Sequence, residues 1–245
     1  MISVAKPMLR VNHLALIIDG NRRYAKFTNI KPSEGHRKGF HKLLEIIEFS
    51  SLLGVKMVTI YGFSLQNFSR TRMEISELLN MIVEMSGEGS QLDEFTKRLK
   101  CRVRFCGDFS FLGKDIRNIL NKISEDTSEF NKITLNICAS YGARNEIAGA
   151  LKKTSSTSPL EFYKHLSAGD CEPPNILVRT SGESRLSDFL IYQCSEFTSF
   201  YFVRELWPEL TFNRLVYILI HYSVFEPTHN FINSFTNFHR EMAIK

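Results

Sequence analysis

The chain of 245 residues lacks an apolar run long enough to cross a membrane. The longest apolar run near its C-terminus, Leu215–Ile220, is far shorter than the ~20 residues that a membrane-spanning helix needs. No apolar segment of the kind found in a signal peptide precedes Asp19. We therefore expect any membrane association to be peripheral or to occur through a partner.

Metal-type cysteine motifs and basic blocks are also missing. The five cysteines form no Cys-x-x-Cys pair and no His/Cys spacing typical of zinc, so we expect reduced, structural thiols on the cytosolic side. The net charge of +5 is not concentrated in a long Lys/Arg block, which argues against nucleic acid as a partner. Small anionic ligands suit this charge better.

The common nucleotide-binding loops are absent as well. There is no Gly-x-x-x-x-Gly-Lys-Ser/Thr loop and no Gly-x-Gly-x-x-Gly turn after the first apolar run, which disfavours a phosphatase or a nucleotide-binding α/β enzyme. Hydrophobic residues at 43% and charged residues at 23% are typical of a folded protein, and we expect one domain spanning residues 1–245. The twenty Phe residues suit either extra core packing or the lining of an apolar cavity.

Apolar strands and amphipathic helices alternate along the chain. The predicted strands are 13–19, 55–63, 101–106, 133–139 and 175–179, the predicted helices are about 35–53, 72–87 and 114–124, and 152–158 reads as an exposed loop. This alternation predicts an α/β fold with a mostly parallel central sheet flanked by helices on both faces.

Polar segments follow four of these strands. They are Asp19–Arg23, Ser64–Arg70, Ser140–Arg144 and Arg179–Arg185. Ligands of such sheets bind outside the carboxyl ends of the strands, so we expect these segments to meet at one edge. Several arginines and one carboxylate at that edge indicate a site for several phosphates, because guanidinium groups bind phosphate oxygens in pairs.

The Asp19-Gly20-Asn21 turn is the candidate centre of this site. Mg²⁺ typically binds one or two carboxylates together with phosphate oxygens and waters, which makes Asp19 the expected ligand. Gly20 lets the backbone approach a ligand closely, and Arg22 and Arg23 follow at the expected start of a helix. Alone, an Asp-Gly-Asn sequence is also a common surface turn.

Other candidate residues have ordinary alternatives. His36 could be a surface histidine at the start of a helix, and Arg179 or Arg185 could each belong to a surface ion pair. What favours a functional interpretation is that all of them converge on strand ends.

Five ordered motifs stand out along the chain, and they are His13–Lys26, Gly35–Gly39, Tyr61–Arg70, Arg179–Leu190 and Leu206–Glu209. Together they resemble the cis-prenyltransferase family of undecaprenyl and dehydrodolichyl diphosphate synthases, and more specifically its eukaryotic dehydrodolichyl catalytic subunits. The resemblance implies an enzyme with an apolar product tunnel that condenses isopentenyl diphosphate onto an allylic diphosphate such as farnesyl diphosphate. It implies a long-chain polyprenyl product for dolichol and protein glycosylation.

The same resemblance implies individual roles. Asp19 would bind Mg²⁺ and assist departure of the diphosphate, and Asn67, with Ser64 nearby, would help to remove a proton. The allylic diphosphate would be bound by Gly20, Asn21, Arg22, Arg23, His36 and Arg70, isopentenyl diphosphate by Arg179, Arg185 and Ser187, and Tyr24 and Phe68 would flank the reacting carbons.

This chain departs from the family at two places that matter for function. Ser199 stands where bacterial members have a second Mg²⁺-binding Glu, and neither Glu196 nor Glu205 falls on that position. The segment 238–245 lacks the Arg-x-Gly tail that homodimeric members use to complete the partner's site. The resemblance therefore implies a noncatalytic homologous partner of the Nogo-B receptor type, or a homodimer, on the cytosolic face of the endoplasmic reticulum.

A noncatalytic subunit of the same fold is the alternative function. A subunit without activity would be expected to lose Asp19, Asn67 or the pair Arg179 and Arg185, and all four residues are present.

Overall fold

The structure is a computed structural model. It describes residues 9–69, 71, 74–76, 80–81, 83–84, 87, 89–155, 158–167 and 171–225. Three parts of the sequence discussed above lie outside the described residues. They are Arg70, several residues of the helix predicted at 72–87, and the C-terminal segment 238–245.

Within the described residues, the central sheet has six strands, and every strand pair is parallel. The strands are β1 (His13–Ile17), β2 (Met57–Ser64), β3 (Cys101–Cys106), β4 (Ile133–Tyr141), β5 (Ile176–Arg179) and β6 (Ser199–Phe202), in the spatial order β3-β4-β2-β1-β5-β6. The predicted parallel sheet is confirmed. β6 was not predicted and forms one edge.

Helices connect the strands. They are α1 (Asn21–Phe27), α2 (Pro32–Leu53), α3 (Gln91–Leu99), α4 (Lys114–Asp126), α5 (Ala143–Lys153), α6 (Pro159–Lys164) and α7, which covers residues 212–225. Across the described ranges, no helix is both long enough and apolar enough to span a membrane.

Apolar side chains cover the sheet on both faces. Leu14 and Leu16 of β1 belong to one buried cluster with residues of α2 and α7, whereas Ala15 and Ile17 belong to a second cluster with Leu177 and Phe189. Successive residues of a strand point to opposite faces, so β1 is buried on both sides. This is why its sequence is a continuous apolar run rather than an alternating one.

A chain of buried polar groups crosses the sheet from β1 to β4. His13 Nδ1 lies 2.7 Å from the Glu172 carbonyl, which can only accept, so Nδ1 carries the proton and Nε2 accepts from the Thr59 hydroxyl at 2.7 Å. Thr59 Oγ1 accepts in turn from Asn136 Nδ2 at 3.0 Å. Burial lowers the pKa of His13 to about 4, partly opposed by the Glu172 carbonyl, so the imidazole is neutral in the fold.

The turn between β1 and α1 depends on Gly20. Its φ of 116° lies in the region that only glycine adopts readily. A Cβ at this position would lie 2.7 Å from Ser181 Oγ and 3.1 Å from Leu206 Cα. The missing side chain therefore allows β1, the segment after β5 and the segment before Trp207 to meet at one point.

We predict that the neutral state of His13 makes stability depend on pH. The unfolded chain binds a proton below about pH 6.5 that the fold accepts only near pH 4, so stability falls as pH falls through this window. The free energy of unfolding should drop by roughly 2 kcal/mol from this group between pH 7 and pH 5. Urea unfolding of wild type and His13→Gln at both pH values measures it, and an equal drop in the variant would contradict the assignment.

We predict that Gly20→Ala destabilises the protein by about 1–3 kcal/mol, because it combines a left-handed backbone with a steric clash. Gly149→Ala is the matched control. Gly149 lies within α5 and a Cβ there would meet nothing within 4 Å, so alanine should stabilise the helix by up to about 1 kcal/mol. Thermal unfolding that shifts in the same direction for both variants would argue against this view of the turn.

Candidate functional site

A polar cavity of about 730 Å³ lies at the carboxyl ends of β1, β2 and β5. Its lining comes from the last residues of these three strands and from the segments that follow them, with His36 added from α2. Of the predicted site residues it brings together Asp19, Gly20, Asn21, Arg22, Arg23, His36, Ser64, Asn67, Arg179, Arg185 and Ser187. This is the edge at which a parallel sheet of this kind binds ligands.

The backbone carbonyl and the side-chain carboxylate of Asp19 contact different partners. Its carbonyl accepts hydrogen bonds from the Thr180 hydroxyl at 2.7 Å and from the Trp207 backbone N–H at 3.0 Å. Its carboxylate lies 3.1 Å from Arg179 Nη2 and 3.6 Å from Arg23 Nη2. About a third of the side chain is exposed, so the carboxylate is fixed in direction and still open to the cavity.

Arg179 is the buried cation of the site, with only 3% of its surface exposed. While Nη2 contacts Asp19, Nη1 donates to Ser187 Oγ at 2.8 Å and to the Arg185 carbonyl. Arg179 therefore connects the carboxylate after β1 with the loop that carries Arg185 and Ser187.

Two further arginines share one carboxylate that sequence reasoning did not single out. Glu183 lies 3.6 Å from Arg23 and 2.5 Å from Arg185. The sequence signal was a Glu two residues before Arg185, within a motif already recognised. Because all three side chains line the cavity, an anionic ligand could replace Glu183 as the partner of both arginines.

Ser64 and Asn67 orient one another at the end of β2. The Ser64 backbone N–H donates to Asn67 Oδ1 at 3.0 Å, and the Asn67 backbone N–H donates to Ser64 Oγ at 3.2 Å. This reciprocal pair fixes both side chains at the cavity wall. Tyr61 and Gln66 also line the cavity and were not predicted.

A second cavity, of about 130 Å³, adjoins the polar one and is almost entirely apolar. The two share Ile18, Asn21, His36 and Gly62 in their linings. Further apolar lining comes from α2, β2, β3, α4 and the segment before α4, including Phe40, Leu43, Phe63, Phe105, Leu112, Ile116 and Leu120. A polar chamber and an apolar chamber therefore meet beside the Asp19 turn.

Some predicted residues lie elsewhere. Tyr24 and Phe68 are not among the described residues that line either cavity, and Phe68 packs edge-on against Phe63 with ring centroids 4.9 Å apart. Arg144 does not reach the cavity. Its side chain is 87% exposed and lies 3.8 Å from Asp188. Among the described residues, the arginines of this edge come from the segment after β1 and from the end of β5 with the segment that follows it, and Arg70 of the segment after β2 lies outside the described residues.

Ser199, which stands where bacterial members have a second Mg²⁺-binding Glu, lies away from the polar cavity. Ser199 is the first residue of β6 and pairs with Ile176, whereas the cavity lies beyond Arg179, roughly 10 Å further along the strands. Glu205 does not compensate, because its carboxylate accepts from Arg214 Nε at 2.6 Å. Asp19 is thus the carboxylate that the motif around β1 presents to the cavity.

The donor groups suit Mg²⁺ only in company with a phosphorylated ligand. Among the described residues, no three His, Cys, Asp or Glu side chains are grouped as a metal site. Mg²⁺ commonly binds one or two protein carboxylates and completes its shell with phosphate oxygens and water. Asp19 can supply the carboxylate. Among the described residues that line the cavity, four arginines exceed two carboxylates, which favours anionic ligands.

Comparison with known proteins agrees with this geometry. Residues 17–228 match a family model described as putative undecaprenyl diphosphate synthase. The Homo sapiens dehydrodolichyl diphosphate synthase complex subunit DHDDS is 34% identical over 223 residues, covering 86% of this chain and 67% of that protein. Its Mus musculus counterpart is 36% identical over 211 residues, covering 82% of this chain and 63% of that protein. The match thus spans about two thirds of these relatives.

Solved structures give the same result. The lavandulyl diphosphate synthase of Lavandula x intermedia, determined in complex with dimethylallyl diphosphate, superposes with a TM-score of 0.81 at 29% identity, covering 87% of this chain and 95% of that one. With the parallel sheet, the Asp19 turn and the arginines in place, the family match over residues 17–228 shows that this chain belongs to the cis-prenyltransferase family.

Proposed function

We propose that this chain is the catalytic subunit of a cis-prenyltransferase that condenses isopentenyl diphosphate in cis onto farnesyl diphosphate. The observation that carries the proposal is the placement of the Asp19 carboxylate. It lies between Arg23 and Arg179 beside a polar cavity that adjoins an apolar one. An allylic diphosphate has one charged end and one apolar end, which these two chambers match.

Charge supports the binding of two diphosphates in the polar cavity. Among the described residues, Arg22, Arg23, Arg179 and Arg185 line it together with Asp19 and Glu183, and these six side chains carry an excess of two positive charges. Arg23 and Arg185 would exchange Glu183 for phosphate oxygens, since charge-assisted bonds to phosphate are strong and often paired. Asn21 and Gly20 would lie against the allylic diphosphate, and Ser187 and Arg185 against isopentenyl diphosphate.

The proposed reaction needs positioning and electrostatics rather than a covalent enzyme intermediate. The allylic C–O bond breaks, the alkene of isopentenyl diphosphate forms a new C–C bond to that carbon, and one proton leaves to restore a double bond. Asp19 would assist departure of the diphosphate, and the Asn67–Ser64 pair would orient the group that takes the proton. A bound Mg²⁺ would neutralise charge on the departing diphosphate.

The apolar cavity is the feature that supports the proposal of a growing hydrocarbon product. Each added isoprene unit brings about five carbons, whose burial stabilises the complex by roughly 4 kcal/mol at about 0.8 kcal/mol per carbon. Phe40, Phe63 and Phe105 line this cavity, which gives three of the abundant phenylalanines a use besides packing. We propose it as the entrance of the product tunnel, with a long-chain ditrans,polycis polyprenyl diphosphate for dolichol and protein glycosylation as the product.

We predict that Asp19→Asn abolishes incorporation of labelled isopentenyl diphosphate. The amide keeps the shape of the side chain and an acceptor for Arg179 Nη2, but it removes the charge that supports metal binding and diphosphate departure. Incorporation should fall at least about 100-fold, in the range seen when one electrostatic group of an active site is removed. Asp19→Ala should also be inactive.

The assay uses farnesyl diphosphate, labelled isopentenyl diphosphate and Mg²⁺, with products sized by chain length. Asp115→Asn, an exposed carboxylate in the first turn of α4, is the matched control and should retain wild-type activity. Activity in Asp19→Asn would remove Asp19 from its role. No incorporation by wild type, alone or with a partner, would favour the alternative of a noncatalytic subunit.

We further propose that the chain works with a noncatalytic homologous subunit, which would attach it to the cytosolic face of the endoplasmic reticulum. The human and mouse relatives are named as subunits of a complex. The edge strand β6 exposes Phe200 and Phe202, whose rings stack 6.4 Å apart, and α7 exposes Tyr217, Val224 and Phe225. An open sheet edge beside exposed aromatic residues is typical of a protein–protein contact.

We predict that Phe200→Ser combined with Phe202→Ser reduces copurification with a coexpressed homologous subunit by at least about tenfold, a loss of roughly 1.4 kcal/mol. Phe27→Ser removes a ring of α1 that is even more exposed, at 79% against 41% for Phe200 and 42% for Phe202, and should leave copurification unchanged. A purified, monomeric chain that makes long products without any partner would refute the requirement.

A further inference from the structure

The loop between Arg185 and Leu190 has an unusual backbone. Ser187, Asp188 and Leu190 have φ values of 52°, 66° and 43°, in the left-handed region that residues with a Cβ rarely occupy. Each such residue costs free energy and persists only where neighbouring contacts determine it. This loop carries two of the residues assigned above to isopentenyl diphosphate, so the contacts that hold it matter for binding.

Asp188 ties the loop to the start of α5. Its carbonyl accepts from the Ala143 backbone N–H at 2.8 Å, and its Oδ1 accepts from the Arg144 backbone N–H at 3.1 Å. The residue before the helix, Gly142, has no side chain to cap it, so Asp188 supplies the cap from 44 positions along the chain. A Cβ on Gly142 would lie 2.8 Å from Asp188 Oδ2, so glycine there leaves room for the carboxylate.

Tyr61 holds the same loop from the side of the sheet. Its hydroxyl lies 3.2 Å from the Ser187 carbonyl and 3.3 Å from the Tyr141 carbonyl. Its ring stacks on Phe189, with centroids 4.6 Å apart and an interplanar angle of 17°. Two adjacent strands and the loop are therefore joined at one phenol group.

Arg179 links this loop to Asp19. Arg179 Nη1 donates to Ser187 Oγ and to the Arg185 carbonyl, and its Nη2 contacts Asp19. Displacing Ser187 would thus remove a contact of Nη1, whereas the contact with Asp19 is made by the other terminal nitrogen, Nη2. The segment Ser140–Arg144, whose arginine does not reach the cavity, then contributes through its backbone N–H groups.

We propose that Asp188 and Tyr61 are positioning residues that set the affinity for isopentenyl diphosphate by holding the loop that carries Arg185 and Ser187. The inference rests on the proposed function for the identity of the ligand. The proposed role does not include direct contact with the departing diphosphate or with the allylic substrate. The reason is that the Asp188 carboxylate and the Tyr61 hydroxyl contact backbone groups.

The test compares Asp188→Ala, Asp188→Asn and Tyr61→Phe in the preparation in which wild type is active. Asp188→Ala should raise KM for isopentenyl diphosphate about tenfold while KM for farnesyl diphosphate changes less than about twofold. Asp188→Asn keeps an oxygen that accepts from the Arg144 N–H and should restore KM to within about threefold of wild type. Tyr61→Phe keeps the stacked ring and should raise KM for isopentenyl diphosphate by about threefold to tenfold.

Tyr163→Phe is the matched control. Its hydroxyl donates to the Cys171 carbonyl at 3.0 Å outside both cavities, so this variant loses a comparable bond and should lower Tm without changing either KM. Equal changes of both KM values in Asp188→Ala, or lower Tm with an unchanged KM ratio, would overturn the inference.

Equilibrium binding separates this result from failure of the proposed function. Titration with isopentenyl diphosphate, followed by thermal shift, measures the affinity for this ligand in the absence of turnover. If wild type binds but does not react, weaker binding by Asp188→Ala still supports the inference and unchanged binding overturns it. If wild type does not bind isopentenyl diphosphate, the inference fails together with the assigned ligand.

Discussion

The arrangement of the site depends on the buried guanidinium of Arg179. A cation that is 3% exposed must be paired inside the fold, and Asp19 provides the opposite charge at 3.1 Å. The same guanidinium binds the loop of Arg185 and Ser187. This guanidinium therefore constrains the carboxylate after β1 and the loop after β5 at the same time.

The parallel sheet makes this contact possible. β1 and β5 are adjacent with Ile17 paired to Arg179, so Asp19 and Arg179 meet although 160 positions separate them in the chain. The same edge places the polar cavity against the apolar one, with Asn21 and His36 in both walls. One sheet edge thus presents a polar chamber and an apolar chamber side by side.

Sequence patterns predicted some elements better than others. The apolar run of β1 and the crossover helix α2 were found because burial on both faces and a 3.6-residue period leave clear patterns. β6 was missed because it is four residues long and exposes Phe200 and Phe202 on one face, so its apolar content did not mark a buried strand. Arg144 was predicted to lie at the edge of the sheet that binds phosphates because it follows β4. Its side chain does not reach the cavity, since the direction of a side chain depends on its neighbours.

By itself, the sequence determined the alternating α/β class, the candidate residues after each strand and the resemblance to cis-prenyltransferases, because periodicity and ordered motifs are local properties of the chain. The tertiary structure decided which of these residues share a cavity, that Glu183 lies between Arg23 and Arg185, and that Asp188 caps α5. Those contacts join residues that are distant in sequence or turned by the backbone. Only packing of the whole sheet brings them within hydrogen-bond distance.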